Sequence, residues 1–307
     1  MSRCFVSRQL PGDALARLSE HHEVLVWPGD LPPNRGDLTA ACAEVDGLIS
    51  LLTDQVDAAL LQSAPNLKVV SNYAVGSDNV DLAEADRRGV AVGVTPDVLT
   101  TATADIAIGL MVSVARRLPQ AASDVRAGRW RTWEPQGWLG LELTGATLAI
   151  VGAGRIGRAT AARAEAFGIS VELVGRDDDL HDALSRADVV SLHLPLSSAT
   201  RHLIDRAALG AMKPSALLIN TARGGLVDQD ALLAALTEGR LGGAGLDVTD
   251  PEPIAADHPL LSAPNTVILP HIGSATHKAR EKMAELTVDN LLAGLTGDPL
   301  PSPARAR

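Results

Sequence analysis

Cysteine is scarce in this sequence: Cys4 and Cys42 are the only two, they form no C-x-x-C pair, and no histidine cluster accompanies them. Their scarcity and spacing exclude a disulfide scaffold and a structural zinc site, leaving both as small buried apolar side chains. Basic residues are outnumbered too, with 27 Lys and Arg against 37 Asp and Glu and a net charge of -10. Nucleic acid and anionic membrane surfaces demand a basic face, so neither is an expected partner, and a small anionic substrate would need locally placed cations. No apolar run approaches the roughly 20 residues that span a bilayer, and "MSRCFVSRQL" lacks the zones of a signal peptide. The expected location is the cytoplasm, and no metal is expected, because the remaining histidines have no ligand spacing.

What the chain does have is length for two domains of ordinary size and 46% hydrophobic residues to fill two cores. Short β-branched runs alternate with helical stretches in two series. The first holds "RCFVS", "HEVLVW", "DGLISLL", "LKVVSNY" and "VAVGV"; the second holds "TLAIVG", "VELVG", "DVVSLHLP", "SALLIN", "GAGLDV" and "TVILPH". Such alternation predicts parallel sheets covered by helices, hence an α/β chain of two doubly wound domains. Between the series, Ile106, Leu110, Val114 and Leu118 recur every four residues, the stripe of a connecting helix. The last helical stretch, "HKAREKMAELTVDNLLAGLTG", returns to the first domain. The expected boundaries are therefore 1–98 with 284–307, and 99–283 between them; "DPLPSPARAR" reads as an irregular tail. Three of the four tryptophans fall in the Gly- and Pro-broken "RAGRWRTWEPQGWLGLEL", which suits either local packing of a long loop or a subunit interface.

"TLAIVGAGRIGRATAARAEAFGISVELVG" sets Gly152, Gly154 and Gly157 in G-x-G-x-x-G spacing, after a strand and at the start of a helix that leads to another strand. In that frame the first glycine permits a tight turn, the second lets a pyrophosphate approach the backbone, and the third allows close helix packing. The helix N-terminus presents N–H groups and positive dipole to the anion. A dinucleotide is expected, although the motif alone does not separate nicotinamide from flavin.

Three further side chains arrive at predicted strand ends or the loops after them. Arg223 follows "ALLIN" and offers a planar fork for a carboxylate; Glu252 lies in the Pro-flanked loop after "GAGLDV"; His271 follows "TVILP". Asp247 stands at another strand end. Alone, a histidine after a buried strand is most simply a hydrogen-bonded structural residue, and His193 in "SLHLP" keeps that reading.

These segments resemble the D-isomer-specific 2-hydroxyacid dehydrogenases through nearly the whole chain. "TPDVLTTATADIAIGLM", "RRLP", "AGLDVTDPEP" and "LPHIGSATHKAR" are most similar to the glyoxylate and hydroxypyruvate reductases among them. The resemblance implies a Rossmann dinucleotide-binding domain inserted into a flavodoxin-like substrate domain, a nicotinamide cofactor, a small 2-oxo acid substrate and a homodimer. It also implies that Arg223 holds the substrate carboxylate and carbonyl, that His271 exchanges a proton with the substrate oxygen, and that Glu252 pairs with His271. Val75 and Gly76 of "AVGSD" would lie beside the carboxylate, with Leu51 and Leu52 along its apolar side, and Tyr73 and Trp138 are further candidates for the pocket wall. Along the cofactor it implies Arg155, Ile156, Pro195, Thr221, Ala222, Asp247 and Gly273 beside the glycine turn. For Asp247 a structural hydrogen bond to a nearby turn stands as the alternative. A phosphoglycerate dehydrogenase without a regulatory domain, or a dinucleotide-sensing corepressor on the same scaffold, are the competing functions.

Cofactor choice turns on "VELVGRDDD". Gly175, 18 residues after Gly157 (175 − 157), stands where an NAD site usually offers a carboxylate, and Arg176 follows it. The expectation is NADP(H) over NAD(H), unless one of Asp177 to Asp179 turns toward the ribose.

Overall fold

The computed structural model describes residues 1–305 and divides into two compact units, Met1–Leu99 with the chain from Ala275 onward, and Thr100–Ser274. In the first unit β1 (Arg3–Val6), β2 (Glu23–Val26), β3 (Gly47–Ser50), β4 (Val69–Asn72) and β5 (Ala91–Gly93) form one parallel sheet in the order β2-β1-β3-β4-β5. That is the flavodoxin-like order. Every residue of β3 and β4 is buried, as strands covered by helices on both faces require. Cys4 and Cys42 are fully buried and unpaired, and burial pushes both thiols up to about 12.

In the second unit β6 (Thr147–Val151), β7 (Ser170–Val174), β8 (Val189–Leu192), β9 (Leu217–Asn220), β10 (Gly243–Leu246) and β11 (Thr266–Ile268) are again all parallel, in the order β11-β10-β9-β8-β6-β7. The winding reverses at β6, which lies between β7 and β8, so ligands are expected outside the carboxyl ends of β6 and β8. Counted from β6, the order 2-1-3-4-5-6 departs from the usual dinucleotide-fold order 3-2-1-4-5-6. Among the described residues no strand lies beyond β7, because the chain passes from Val174 through a short turn into the helix Leu180–Arg186 and on to β8. No helix among the described residues is long and apolar enough to cross a membrane.

Four expectations need correction or refinement. The chain re-enters the first unit at Ala275 rather than at residue 284, because His277–Thr296 is one unbroken helix capped by Thr276, whose hydroxyl accepts from the Ala279 N–H at 3.1 Å. The connecting helix stops at Ala115: Arg117 turns left-handed (φ 53°) and Leu118 opens a second helix, Leu118–Arg126, where it is 47% exposed instead of completing the buried stripe. The tail, whose residues 306 and 307 lie outside the described ones, is irregular but anchored as far as Ala304, since Val94 N–H donates to Ser302 and Ala304 N–H to Val92 along the edge of β5. In the tryptophan segment local packing is not what the rings do: Trp130, Trp133 and Trp138 are 69%, 79% and 46% exposed, and the preceding helix buries no residue.

Candidate active site

Each glycine of the turn after β6 answers to a different constraint. Gly152 has φ of +100°, and a Cβ there would stand 2.7 Å from the His193 backbone after β8. At Gly157 a Cβ would stand 2.3 Å from the Gly152 carbonyl, so the helix Arg155–Glu165 packs onto the turn only without a side chain. Gly154, the helix N-cap, faces open space, with nothing within 4 Å of where its Cβ would project. A bare backbone aimed at open space, at a helix N-terminus whose first turn holds no acid, fits a dinucleotide pyrophosphate. Thr221 adds a second sign of fit: it is buried, and its Oγ1 has no hydrogen-bond partner among the described residues. Arg155, Gly154 and Pro195 are exposed, while Ile156 and Ala222 are half-buried.

The three central polar residues leave adjacent strands of one sheet, β9, β10 and β11. After β9 the fully buried Asn220 builds the turn that carries Arg223: its Nδ2 donates to the Arg223 carbonyl at 2.8 Å and its Oδ1 accepts from the Ala222 N–H at 3.0 Å. The half-buried guanidinium donates from Nη1 to the Ala222 carbonyl at 2.8 Å. Gly224 lets this turn pass against the next loop, since a Cβ would meet the Thr249 backbone at 2.0 Å. The Glu252 loop is tied down by Arg201 on Asp250 (2.9 Å) and by Thr249, whose hydroxyl donates to the Pro251 carbonyl at 2.9 Å.

His271 occupies a left-handed backbone position, φ of 53°, and its Nδ1 lies 2.5 Å from Glu252 Oε1. With Nδ1 held by a carboxylate, Nε2 is the ring atom left to exchange a proton. Asp247, 1% exposed, accepts from the Ile272 N–H at 2.8 Å and from the Gly273 N–H at 2.7 Å. Burial raises its carboxyl pKa, against the pull of those two backbone donors. The hydrogen bond to a nearby turn that stood as the alternative for Asp247 is therefore present, and the turn is the one that carries His271.

In the first unit Leu51 and Leu52 follow β3 and are half-buried, while Val75 and Gly76 follow the adjacent β4, exposed and half-buried in turn. The N–H groups of Val75, Gly76 and Ser77 donate to no backbone carbonyl among the described residues. Consecutive unspent N–H donors suit a carboxylate. Tyr73 does not line this turn: it is 4% exposed, its hydroxyl donates to the Arg280 carbonyl at 2.7 Å, and burial pushes it up to about 12.

At the end of β7, Gly175 and Arg176 are exposed, and two of the three aspartates have local work. Asp178 accepts from the Gly175 N–H at 2.7 Å, and Asp179 caps the next helix through the Asp182 N–H at 3.1 Å. His193 pairs with Ser191 Oγ at 2.8 Å, the structural part expected of it. Sequence reasoning missed Asn220, whose only sequence signal was a polar residue closing an apolar run.

Residues 108–273 match the family model for the NAD binding domain of D-isomer specific 2-hydroxyacid dehydrogenases. A glyoxylate reductase of Thermococcus litoralis is 45% identical over 313 residues, 96% of this chain and 94% of that protein. The crystal structure of a Thermus thermophilus protein superposes with a TM-score of 0.94 at 49% identity, covering 99% of this chain and 100% of the other. An NADPH-dependent glyoxylate/hydroxypyruvate reductase of Sinorhizobium meliloti, solved with NADP and malonate, gives 0.86 at 34% identity over 99% and 98% of the two chains.

Proposed function

The chain belongs to the D-isomer-specific 2-hydroxyacid dehydrogenase family, and we propose that its reaction is reduction of glyoxylate or hydroxypyruvate to the corresponding 2-hydroxy acid, the D isomer where the product is chiral. A bound nicotinamide dinucleotide supplies the hydride. The protein's part is to hold the carboxylate, orient the carbonyl and deliver a proton. The Arg223 guanidinium pairs with the substrate carboxylate and carbonyl. The family resemblance gives the first unit a part of its own, with the Val75 and Gly76 N–H groups as carboxylate donors and Leu51 and Leu52 as apolar contacts. As hydride reaches the carbonyl carbon, negative charge gathers on the oxygen and His271 Nε2 gives it a proton. Glu252, on Nδ1, fixes the orientation of the ring.

The observation that carries this reading is the 2.5 Å contact of His271 Nδ1 with Glu252, on the sheet edge that also presents Arg223. The glycine turn with Arg155 and Ile156 would hold the pyrophosphate. Pro195, Thr221, Ala222, Asp247 and Gly273 would face the nicotinamide half, and Gly175 with Arg176 the adenosine ribose, with NADP(H) preferred over NAD(H). The same reading makes the protein a cytoplasmic homodimer, with the exposed Trp130, Trp133 and Trp138 arm as the face covered by a second copy and Trp138 as the ring it offers to the partner's pocket.

Initial rates with glyoxylate, hydroxypyruvate, pyruvate and phosphorylated 2-oxo acids test the substrate, and light scattering tests the dimer. Turnover of the first two with a loss in Arg223→Ala that spares dinucleotide binding is expected. Dinucleotide binding without turnover of any 2-oxo acid would instead make the chain a sensor.

A further inference from the structure

Behind the Val75–Ser77 turn lies a buried network of amides that no step above uses. Ser50 and Asn72 stand opposite each other at the ends of β3 and β4. Asn72, fully buried, donates from Nδ2 to the Gly76 carbonyl at 2.9 Å and to Asn79 Oδ1 at 3.0 Å, and its Oδ1 accepts from Ser50 Oγ at 3.1 Å. Asn79, 7% exposed, donates from Nδ2 to the carbonyls of Leu51 at 3.0 Å and Asp54 at 2.9 Å. Asp54 in turn accepts from the Leu51 N–H at 2.7 Å through a carboxylate that is 2% exposed.

Two loops are thereby tied to one pair of side chains, the loop that carries Leu51 and the turn that carries Gly76. The geometry of the peptide unit gives the tie a direction. In a trans peptide the N–H points opposite to the C=O. Drawing the Gly76 carbonyl in toward Asn72 turns the N–H of Ser77 outward. The neighbouring N–H groups of Val75 and Gly76 are likewise unspent on backbone carbonyls among the described residues. A buried carboxamide is tolerated when its donors and acceptor are met, and these two meet each other and the two loops. Leucine could not donate to the carbonyls, and aspartate would set its charge against them.

We propose that Asn72 and Asn79 are positioning residues that fix the Val75–Ser77 turn, Asn72 by holding the Gly76 carbonyl inward, and so set the affinity of the turn's N–H groups for the substrate carboxylate. The inference rests on the functional reading above, in which that turn receives the carboxylate. Neither side chain needs to touch substrate.

The test compares wild type, Asn72→Ser and Ser50→Ala, using glyoxylate as substrate, oxamate as a non-reacting carboxylate of similar size, and NADPH binding followed by fluorescence. Asn72→Ser shortens the side chain so that it no longer spans to Gly76. Its KM for glyoxylate and its oxamate inhibition constant should both rise about tenfold, the scale of one lost charge-assisted hydrogen bond. Its kcat should stay within about threefold and its NADPH affinity unchanged, a split that general loosening would not give. Ser50→Ala removes a single bond to Asn72 and should raise the same two constants by a smaller factor; if Asn72→Ser does not fold, this variant decides. Folded variants with unmoved KM and oxamate inhibition overturn the proposal, as does an equal loss of NADPH binding. Wild type without turnover of any 2-oxo acid overturns the functional reading and this proposal together, whereas an active wild type beside unmoved variants sinks this proposal alone.

Discussion

Asp247 grips the turn of His271 at three consecutive residues: its carbonyl accepts the His271 N–H at 2.9 Å, and its carboxylate accepts those of Ile272 and Gly273. The left-handed backbone of a histidine is disfavoured and persists only where its surroundings impose it. Here a single buried carboxylate supplies that constraint, and it shows why an acid stands at the end of β10.

Asp247→Asn should therefore damage catalysis through His271. The amide keeps one acceptor but turns an NH₂ toward the second N–H, leaving a buried donor unmet at a cost of about 1–3 kcal/mol. We expect kcat to fall by roughly tenfold to a hundredfold while the protein stays folded, since about 1.4 kcal/mol corresponds to each factor of ten. Steady-state kinetics with glyoxylate check this, and an unchanged kcat would show that the turn holds itself.

Glu252→Gln tests the partner on Nδ1. The amide can still accept from the ring, but it loses the charge that strengthens the bond on Nδ1 and holds the ring. kcat for reduction should fall by roughly tenfold, the equivalent of about 1.4 kcal/mol, while NADPH binding stays unchanged. An unchanged kcat would separate Glu252 from proton transfer.

His193 gives the fold a pH dependence of its own. Desolvation lowers its pKa from 6.5 to about 4, so the folded state keeps the ring neutral where the unfolded chain protonates it. A depressed folded pKa means that this contribution is fully present above pH 6.5 and is lost as the pH falls toward 4. Its size is on the order of 3 kcal/mol at the acid end. Urea midpoints should drop between pH 7 and pH 4.5 in wild type and drop less in His193→Asn; equal slopes would remove the histidine from the account.

How much of this was legible in the sequence depended on whether the signal was local. Gly152, Gly154 and Gly157 could be read because turn, approach and packing each demand glycine at a fixed spacing within one strand-turn-helix unit. Arg223, Glu252 and His271 could be singled out because each follows an apolar run that ends at the same sheet edge. The roles of Asn72 and Asn79 were hidden because their contacts depend on how β3 and β4 register, which no single segment encodes. Leu118 was misread because a four-residue period carries on across Arg117, whose left-handed turn ends the helix without a glycine or proline at that position. The missing strand beyond β7 was unreadable for a similar reason: "RDDDLHDALSRAD" shows only that a helix is approached, not which edge the next strand takes.

The choice of dinucleotide is the sharpest test at the end of β7, where Arg176 and Asp178 pull in opposite directions. Arg176 is exposed next to Gly175 and carries the fork that pairs with a 2′-phosphate. Asp178 accepts from the Gly175 N–H, which holds a carboxylate at the strand end where it would repel the same phosphate. That carboxylate is engaged by a backbone donor, whereas the guanidinium can pair bidentately, so Arg176 should prevail. We expect kcat/KM to favour NADPH over NADH by about tenfold, the equivalent of about 1.4 kcal/mol. Arg176→Asp should reverse the order, and Asp178→Asn should widen the NADPH preference by removing the opposing charge. Measurements of both cofactors at equal substrate and salt check all three proteins, because salt screens these exposed charges. A wild type that prefers NADH, together with Asp178→Asn shifting it toward NADPH, would make Asp178 the residue that reads the ribose.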